Sequence, residues 1–408
     1  MEFVILNETD FRLFLDQHPL RTFLQTPEIG QLRTTSGWTV HYVGIKQDNE
    51  IVAATMLLSR KAFLKKDTFY APRGFLIDFK NLKLLTFFTM KVKEYIKAHN
   101  GFILRIDPYV MRQERDIDGN MVPNGFNNLD IIHNLEQLGF KSSKNHEQVL
   151  WLFEIDLKNK TADDVSKDML PNTRNIIRNT IKNGIELREL KSDELDTFKK
   201  LTLDTSERKK FHDRPLSYYQ AMYQLFINKE QIKFLIAEIN LKQYIEKLSL
   251  EKETELFKQT KIIDNPTNQG KLKELQVTID SLTKKINEAQ EIIKSEGNML
   301  VLSGGMFIMY GREVIYLSSG NYKKYLSFGG QYAIQWQMIN YALDHHFDYY
   351  NFYGITGNFD PKDKDYGIYK FKKGFNGQVV ELIGEFTLKI TNHYHLYQLL
   401  AKIKQYFN

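Results

Sequence analysis

The chain has 408 residues, of which 42% are hydrophobic and 26% charged, and its formal net charge is +6. It contains no cysteine, which excludes disulfide bonds, a thiolate nucleophile and cysteine-ligated metal sites. No apolar run reaches the roughly 18 residues that span a bilayer, and the first residues lack the pattern of a secretory signal. We therefore expect a soluble, cytoplasmic protein of two or three domains.

The first third of the chain predicts a small α/β unit. Residues 38–45 and 51–59 are predicted to be strands joined by a polar turn, and residues 93–107 a helix, a short turn and a strand. Residues 135–140 form a short amphipathic stretch ending in Gly-Phe, which is typical of a helix stopped by glycine. We assign this first unit to residues 1–155.

A basic helix is predicted next, over residues 172–184. Arg174, Arg178 and Lys182 recur every four residues and therefore share one face of the helix. Such a stripe can follow a phosphate backbone without reading its sequence. An ordinary solvated amphipathic helix would have the same pattern, so both interpretations stay open.

Residues 241–298 predict a long helical hairpin. From Leu272 to Ile293, apolar residues alternate in steps of three and four, which is the seam of a coiled coil. The helix before it is less regular, and turn-forming residues 264–270 separate the two. The segment carries ten lysines and ten acidic residues, so it has no net charge. Its role is open between a helical spacer and a partner-binding arm.

The second half of the chain repeats the elements of the first. Residues 339–353 align with 93–107 without a gap, and residues 371–375 again end in Gly-Phe. Two predicted strands, 233–239 and 299–309, precede them, with the hairpin in place of the turn. The second unit is assigned to 156–240 and 299–395, the hairpin to 241–298 and a C-terminal helix to 396–408.

This order of elements resembles the acyltransferase fold of the GCN5-related N-acetyltransferases (GNAT). The predicted fold class is α/β, with two tandem GNAT-like units, the second interrupted by an antiparallel coiled-coil arm. Users of acetyl-CoA carry a Gln/Arg-x-x-Gly-x-Gly/Ala loop that holds the pyrophosphate at a helix N-terminus. Gly304-Gly305 and Gly329-Gly330 differ from this loop in context and spacing. We therefore expect acyl transfer without CoA, or a fold reused for binding.

Several short strings, taken in order, carry a more specific resemblance. They are residues 23–26, 70–74, 104–109, 205–208, 213–215, 332–343, 350–354, 369–376 and 383–386. Together they resemble the FemABX family of peptidoglycan interpeptide-bridge aminoacyltransferases, and the arm resembles that of FemA-, FemB-, MurM- and MurN-like members. The resemblance covers nearly the whole chain.

The resemblance implies transfer of glycine, alanine or serine from aminoacyl-tRNA. The acceptor would be the stem-peptide amine or growing bridge of lipid II or another muramyl-pentapeptide precursor. A neutral amine attacks an activated ester, so the reaction needs no protein nucleophile, no CoA and no metal. Other implied partners are the inner face of the membrane, where the protein would bind peripherally, and related family members or a second copy.

The resemblance also assigns catalytic candidates. Lys372 matches a lysine that binds the developing negative charge, and Phe371 would shape the site beside it. Asp107, at the end of a strand, matches a substrate-contacting carboxylate, and its role as general base is left open. Without the resemblance, Lys372 would be interpreted as a solvated lysine, Phe371 as a core residue and Asp107 as a turn residue before Pro108.

The substrate-binding candidates follow in the same way. Arg33, Arg214 and Tyr218 match positions that bind the precursor's diphosphate and muramyl-peptide, a task that suits the guanidinium fork. Tyr316 and Tyr353 match strand ends that line the site, where buried tyrosines are as often structural. The stripe formed by Arg174, Arg178 and Lys182 is the tRNA-binding candidate.

Three other functions compete with this interpretation. The first is a CoA-dependent N-acyltransferase, against which the missing pyrophosphate loop argues. The second is a non-catalytic protein that binds RNA or a partner through its basic helix and arm. The third, within the family, is an immunity factor that alters the bridge to resist a cell-wall hydrolase.

Overall fold

The predicted α/β fold is confirmed, with two β-sheets and a long pair of helices. The computed structural model describes residues 1–263, 268–394 and 396. Apart from residue 396, the helix predicted over 396–408 lies outside the described residues.

Two mixed sheets form the framework. In spatial order, the seven-stranded sheet contains β1 (Glu2–Ile5), β2 (Thr39–Gln47), β3 (Glu50–Phe63), β4 (Lys66–Ala71), β5 (Gly101–Ile106), β15 (Phe386–Lys389) and β7 (Phe140–Ser142). The eight-stranded sheet contains β6 (Met111–Gln113), β14 (Gln378–Leu382), β8 (Trp151–Asp156), β13 (Tyr349–Ile355), β12 (Glu313–Asn321), β11 (Met299–Tyr310), β10 (Ile232–Asn240) and β9 (Ile185–Glu189).

The sheets exchange strands between the two halves of the chain. Strand β8, which ends at Asp156, pairs with β13 and β14 in the second sheet. Strand β15, near the C-terminus, pairs with β5 and β7 in the first sheet. The division at residue 155 stays a prediction about units, but backbone hydrogen bonds tie each sheet to the other half of the chain.

Helices cover the sheets. They are α1 (Glu8–Gln17), α2 (Pro27–Thr34), α3 (Leu82–Ala98), α4 (Leu129–Gln137), α5 (Ala162–Asp168), α6 (Pro171–Lys182), α7 (Leu195–Lys209), α8 (Leu216–Phe226), α9 (Leu241–Ile262), α10 (Gln269–Glu296), α11 (Gly330–Asp344) and α12 (Tyr366–Lys373). Within the described ranges, none of them has the length and apolar character to cross a bilayer.

The repeat noticed in the sequence corresponds to two strand–helix–strand units. Helix α3 connects the parallel pair β4 and β5, and α11 connects the parallel pair β12 and β13. Near the end of each helix a histidine packs on a tyrosine, with ring centroids 4.0 Å apart for Tyr95 and His99 and 3.9 Å for Tyr341 and His345. The aligned residues therefore occupy equivalent places.

The two Gly-Phe helix ends differ in conformation. Gly139 after α4 has φ +90°, the positive value that favours glycine at a helix end. Gly374 after α12 is right-handed, with φ −56°, and the left-handed residue there is Asn376. Glycine is needed at 374 for space instead, because a Cβ would overlap the hydroxyl of Thr173 in α6.

The helical arm is made of α9 and α10, which pack against each other. At about 1.5 Å per residue they are roughly 33 and 42 Å long. The seam residues nearest the sheets are buried, namely Leu241, Tyr244, Leu248, Ile279, Leu282, Ile286 and Ala289. Apolar burial along the seam thus continues from the second sheet into the arm.

We predict that Gly320→Ala destabilises the fold. A Cβ on Gly320 in β12 would overlap the backbone of Leu201 and Thr202, so α7 would have to move. Overpacking of this kind costs about 1–3 kcal/mol, measurable as a lower midpoint of urea unfolding. The control is Gly270→Ala in α10, where nothing lies within 4 Å of the added carbon. Equal midpoints for the two variants would contradict the close contact of α7 with β12.

Candidate active site

An opening separates the ends of β12 and β13. The equivalent strands of the first sheet, β4 and β5, stay paired from Asp67–Gly101 through Ala71–Ile106. Strands β12 and β13 pair only as far as Ile315 and Asn351, although both continue further within the described range. The second unit therefore has free backbone edges where the first unit is closed.

Lys372 lies beside this opening. It is on the last turn of α12, and the residue is only 6% exposed. Its Nζ donates to the backbone carbonyls of Gly354 at 2.6 Å and Tyr353 at 3.3 Å. No carboxylate of the described residues lies within 4 Å of this ammonium group. Burial lowers the pKa of Lys372 to about 7, so near neutral pH the protonated and neutral forms are both populated.

A kink in β13 aims these two carbonyls at Lys372. Tyr353 has φ +63°, a left-handed conformation that is costly for a tyrosine. Its backbone N–H donates to Oδ1 of Asn351 at 2.7 Å, two residues earlier. This hydrogen bond offsets part of the strain and fixes the direction of the strand after Asn351.

Asn351 is held by a buried network that joins the two sheets. Its Nδ2 donates to Glu313 at 2.7 Å, and the hydroxyl of Tyr109 donates to the same carboxylate at 3.0 and 3.1 Å. Burial raises the pKa of Glu313, against the hydrogen bonds from Asn351 and Tyr109. Nearby, burial raises the pKa of Glu154 to about 7, against a hydrogen bond from Gln378. These carboxylates keep their place only because polar partners surround them.

Asp107 lies in a second polar cluster, whose charges act on Tyr353 of the same strand. Its Oδ1 accepts a hydrogen bond from the backbone N–H of Arg73 at 2.8 Å, and its Oδ2 is 3.6 Å from the Arg73 guanidinium. Burial raises the pKa of Asp107 to about 6, while the charge of Arg73 opposes the shift. Burial raises the pKa of Tyr353. The charge of Arg73 opposes this rise, and the charge of Asp107 adds to it. Asp107 is thus a buried carboxylate next to Tyr353 rather than an exposed turn residue.

Arg33, Arg214 and Tyr218 come together in a cleft of about 780 Å³. The Arg214 guanidinium lies 5.2 Å from the centre of the Tyr218 ring. Burial raises the pKa of Tyr218, and the charges of Arg214 and Arg33 oppose the rise. Tyr353 lines the same cleft. The backbone carbonyl of Tyr353 therefore contacts Lys372 while its side chain faces the cleft.

A buried aspartate fixes the loop that carries Arg214. Asp213 accepts hydrogen bonds from Thr202 and Tyr219 at 2.8 Å each and is paired with Lys199. Burial alone would raise its pKa, but these partners hold the pKa of Asp213 below its ordinary value. The loop is therefore anchored at the residue before Arg214.

Tyr316 and Phe371 lie on the apolar side of the second sheet. Tyr316 stacks on Phe307 with ring centroids 5.2 Å apart, and burial raises its pKa to about 12. Phe371 packs edge-on against Tyr332 and Phe375. Neither residue lines the cleft, so the structure separates them from Arg33, Arg214 and Tyr218.

The three residues of the basic stripe have different environments. Arg174 donates to the carbonyls of Lys167 at 2.6 Å and Met169 at 2.8 Å, which caps the end of α5. Lys182 pairs with Glu251 of the arm at 2.6 Å. Arg178 is exposed, and no partner for it occurs among the described residues. Two of the three cations are therefore already engaged within the fold.

The polar network around Asn351 was missed in the sequence. Glu154 and Glu313 lie in apolar strands, where a single charged residue is ordinarily interpreted as facing solvent. The signal for Glu154 is an acidic side chain within the otherwise apolar stretch Leu152–Ile155, whereas Glu313 begins its strand directly after Gly311 and Arg312 and has no such signal. Arg73 and Asn351 both fall within strings that carry the family resemblance, but nothing in those strings indicates burial.

We predict that Asn351→Ala lowers the free energy of unfolding by about 1–3 kcal/mol, because it leaves the Tyr353 N–H and Glu313 short of buried partners. Urea unfolding measures the change. Asn340→Ala in α11 is the control, since the Asn340 side chain is only half-buried and donates to a carbonyl of its own helix. A loss no larger than that of the control would mean that Asn351 does not hold the kink.

We predict a pH-dependent stability difference between the wild type and Lys372→Met. Between pH 7 and 10.5 the unfolded wild type binds a proton at residue 372 that the folded state lacks, so its stability rises with pH. The unfolding free energy of the wild type minus that of the variant should increase by about 1 kcal/mol per pH unit between about pH 7.5 and 9.5. Lys370→Met, an exposed lysine of the same helix, should show no such slope. A constant difference for Lys372→Met would refute the lowered pKa.

Comparisons with known proteins agree with this architecture. The FemAB family profile matches residues 6–402. The chain is 35% identical over 419 aligned positions to aminoacyltransferase FemA of Staphylococcus aureus strain MRSA252, covering 99% of both chains, and equally so to that of strain bovine RF122 / ET3-1. A crystal structure of FemX is 24% identical, with a TM-score of 0.75 over 98% of this chain and 99% of that one, and shows the same fold. The chain therefore belongs to the FemAB family and is a homologue of the aminoacyltransferase FemA.

Proposed function

We propose that the protein transfers an amino acid from aminoacyl-tRNA to a peptidoglycan precursor. The acceptor is the stem-peptide amine, or the growing interpeptide bridge, of lipid II or another muramyl-pentapeptide. The reaction is direct aminolysis: the amine nitrogen bonds to the ester carbonyl carbon, the tRNA hydroxyl leaves, and the amine loses a proton. Full-length identity to FemA supports the reaction class.

The single observation that carries the mechanism is the burial of Lys372 without a carboxylate partner among the residues that the structure describes. An ammonium group held only by two carbonyls retains most of its capacity to bind an anion. As the ester carbonyl becomes tetrahedral, its oxygen gains negative charge, and a nearby cation in a site of low dielectric stabilises it strongly. The rise of charge on the substrate would also draw Lys372 towards its protonated form.

The basic helix supports a donor position next to Lys372. The backbone N–H of Leu170, just before α6, donates to the carbonyl of Gly374 at 3.0 Å, two residues after Lys372. Arg178 and Lys182 face outward from this helix, and the exposed ion pair of Lys182 with Glu251 is of a kind that contributes little stability and that a phosphate can replace. A tRNA following them would bring its acylated end towards the opening between β12 and β13, with Phe371 and Tyr316 forming the apolar wall.

The cleft supports the position of the acceptor. Arg33 and Arg214 can bind a diphosphate through paired hydrogen bonds, with Tyr218 packed against the Arg214 guanidinium. Tyr353 lies between this cleft and Lys372, so the amine and the ester would meet across its backbone. Asp107, with its pKa raised to about 6, would be mostly ionised at neutral pH and able to accept the amine proton.

The alternative of a CoA-dependent acyltransferase is disfavoured by the start of α11. In that class a helix N-terminus binds the pyrophosphate. Here a Cβ added to Gly329, the first residue of the turn into α11, would lie 2.9 Å from Ile176 and 3.0 Å from Thr180, because α6 packs against this end. The helix end is thus covered by protein.

The proposal includes the further partners expected for this reaction. A lipid-linked acceptor requires contact with the inner face of the membrane, and the successive residues of a bridge allow association with related enzymes. Glycine, alanine and serine differ by one small side-chain group. A binding pocket discriminates such a difference by only about 1–3 kcal/mol of binding free energy. Housekeeping bridge synthesis and an immunity role would use the same site.

Two measurements test the reaction. Purified protein, charged tRNA and a soluble muramyl-pentapeptide should give a product heavier by one amino acid, whereas acetyl-CoA should give none. Mass spectrometry of muropeptides from cells lacking the protein should show a bridge shortened or altered by a defined residue. An unchanged muropeptide profile together with no transfer in vitro would overturn the proposal.

We predict that Lys372→Met lowers kcat/KM by about 10²–10³, the effect of removing one oxyanion-stabilising group. The ratio of wild-type to variant rates should fall above about pH 7, because the wild type loses its charge there and the ionisation of the substrate amine cancels in the ratio. A ratio that rises above pH 7 would instead make neutral Lys372 the general base. Lys370→Met should retain wild-type rates at every pH.

A further inference from the structure

The tip of the β3–β4 hairpin has an unusual composition for its geometry. Phe63 and Lys66 are paired, so Leu64 and Lys65 alone form the two-residue turn. Both have positive φ, +46° and +60°. Turns of this kind strongly prefer Asn-Gly, because a leucine side chain is crowded in the left-handed region.

The left-handed conformation of Leu64 is not compensated by burial of its side chain. The residue is 61% exposed at the end of the hairpin. A strained, exposed leucine costs folding free energy, and such strain is typical of positions that serve an external contact. Phe63 beside it is half-buried, and its ring centroid lies 6.4 Å from that of Phe102 in β5, so the base of the tip packs against the sheet.

Cations surround this tip. Residues 60–67 contain Arg60, Lys61, Lys65 and Lys66 against one carboxylate, Asp67. The hairpin borders a groove of about 730 Å³ that adds Lys141 and Lys144. In the described part of the chain, Arg60, Lys61, Lys65, Lys141 and Lys144 form no ion pair. The other arginine that lines the groove, Arg105, is paired with Glu147 and Glu385.

We propose that this hairpin surface, comprising Arg60, Lys61, Leu64, Lys65, Lys141 and Lys144, docks on an anionic phospholipid bilayer. The cations are attracted to the lipid headgroups, and Leu64 enters the boundary between headgroups and acyl chains. A nucleic acid would also attract the cations, but it has no apolar phase to accept an exposed aliphatic side chain. The apolar tip therefore favours the bilayer.

The position of this surface suits the proposed reaction, although the docking does not depend on it. Glu147 lines both the basic groove and the cleft that contains Arg33 and Arg214. Docking through the hairpin would therefore hold the cleft close to the membrane, where a lipid-linked acceptor has its diphosphate. A soluble acceptor would gain nothing from it.

Co-sedimentation with vesicles tests the proposal without requiring activity. The full-length protein should bind vesicles of phosphatidylglycerol and phosphatidylcholine, and bind pure phosphatidylcholine weakly or not at all. The double variant Lys61→Gln, Lys65→Gln should weaken binding about fivefold per lysine. Leu64→Asn should weaken it at least about fivefold while leaving the unfolding midpoint unchanged or higher, since asparagine tolerates the turn.

The arm provides matched controls. Lys284→Gln with Lys285→Gln removes the same charge from exposed positions of α10, and Leu250→Gln removes an equally exposed leucine from α9. These variants should bind vesicles as the wild type does. Equal binding to charged and neutral vesicles, or wild-type binding by the hairpin variants, would overturn the proposal.

Two further assays separate this inference from its rivals. If the hairpin variants lose retention of tRNA but keep vesicle binding, the surface contacts nucleic acid and the membrane assignment is wrong. With a soluble muramyl-pentapeptide the hairpin variants should transfer at the wild-type rate, and with a lipid-linked acceptor in vesicles more slowly. Vesicle binding in a protein that transfers nothing would leave the docking intact and refute only the enzymatic function.

Discussion

The site depends on one constraint, which is that a lysine ammonium group is buried with two backbone carbonyls as its only partners in the described part of the chain. A carboxylate beside Lys372 would neutralise its charge and keep its pKa high. Two carbonyls supply hydrogen bonds without a counter-charge, so burial can lower the pKa to about 7. The carbonyls converge only because β13 bends at Tyr353, whose left-handed backbone is held by Asn351. The chemistry of Lys372 is therefore set by the shape of a strand.

That strand is in turn tied to the packing of the two sheets. Tyr109 follows β5 of the first sheet and donates to Glu313 of the second, which also accepts from Asn351. Burying Glu313 and Glu154 costs free energy unless each keeps its hydrogen-bond partners. A shift of one sheet against the other would break those bonds and release the kink. The position of Lys372 relative to the cleft that contains Arg33 and Arg214 is thus coupled to the same buried network.

The architecture could be predicted from the sequence where it rests on local pattern. The spacing of apolar residues predicts the heptads of the arm and the two helix–strand repeats. The helices α9 and α10 and the Tyr–His stacks agree with that prediction. The exchange of β8 and β15 between sheets could not be predicted, because strand pairing across the chain leaves no local signature. The same holds for Glu154, Glu313 and Asn351, whose burial depends on partners far away in sequence. Nor does a stripe of cations reveal that one of them, Arg174, donates hydrogen bonds to the carbonyls at the end of a neighbouring helix.

The two strand–helix–strand units differ at the one place where the difference matters. In the first, β4 and β5 stay paired to Ala71 and Ile106, and Arg73 and Asp107 follow directly after the closed ladder. In the second, the ladder stops at Asn351, and the bend at Tyr353 opens the edge beside Lys372. Closure in the first unit supplies a buried carboxylate, and opening in the second supplies a buried cation. Tyr353 is linked to both groups, because its carbonyl accepts a hydrogen bond from Lys372 and the charge of Asp107 raises the pKa of its hydroxyl further after burial. The proposed aminolysis would use this arrangement, with Asp107 as the proton acceptor on one side of the bond that forms and Lys372 as the anion-binding group on the other.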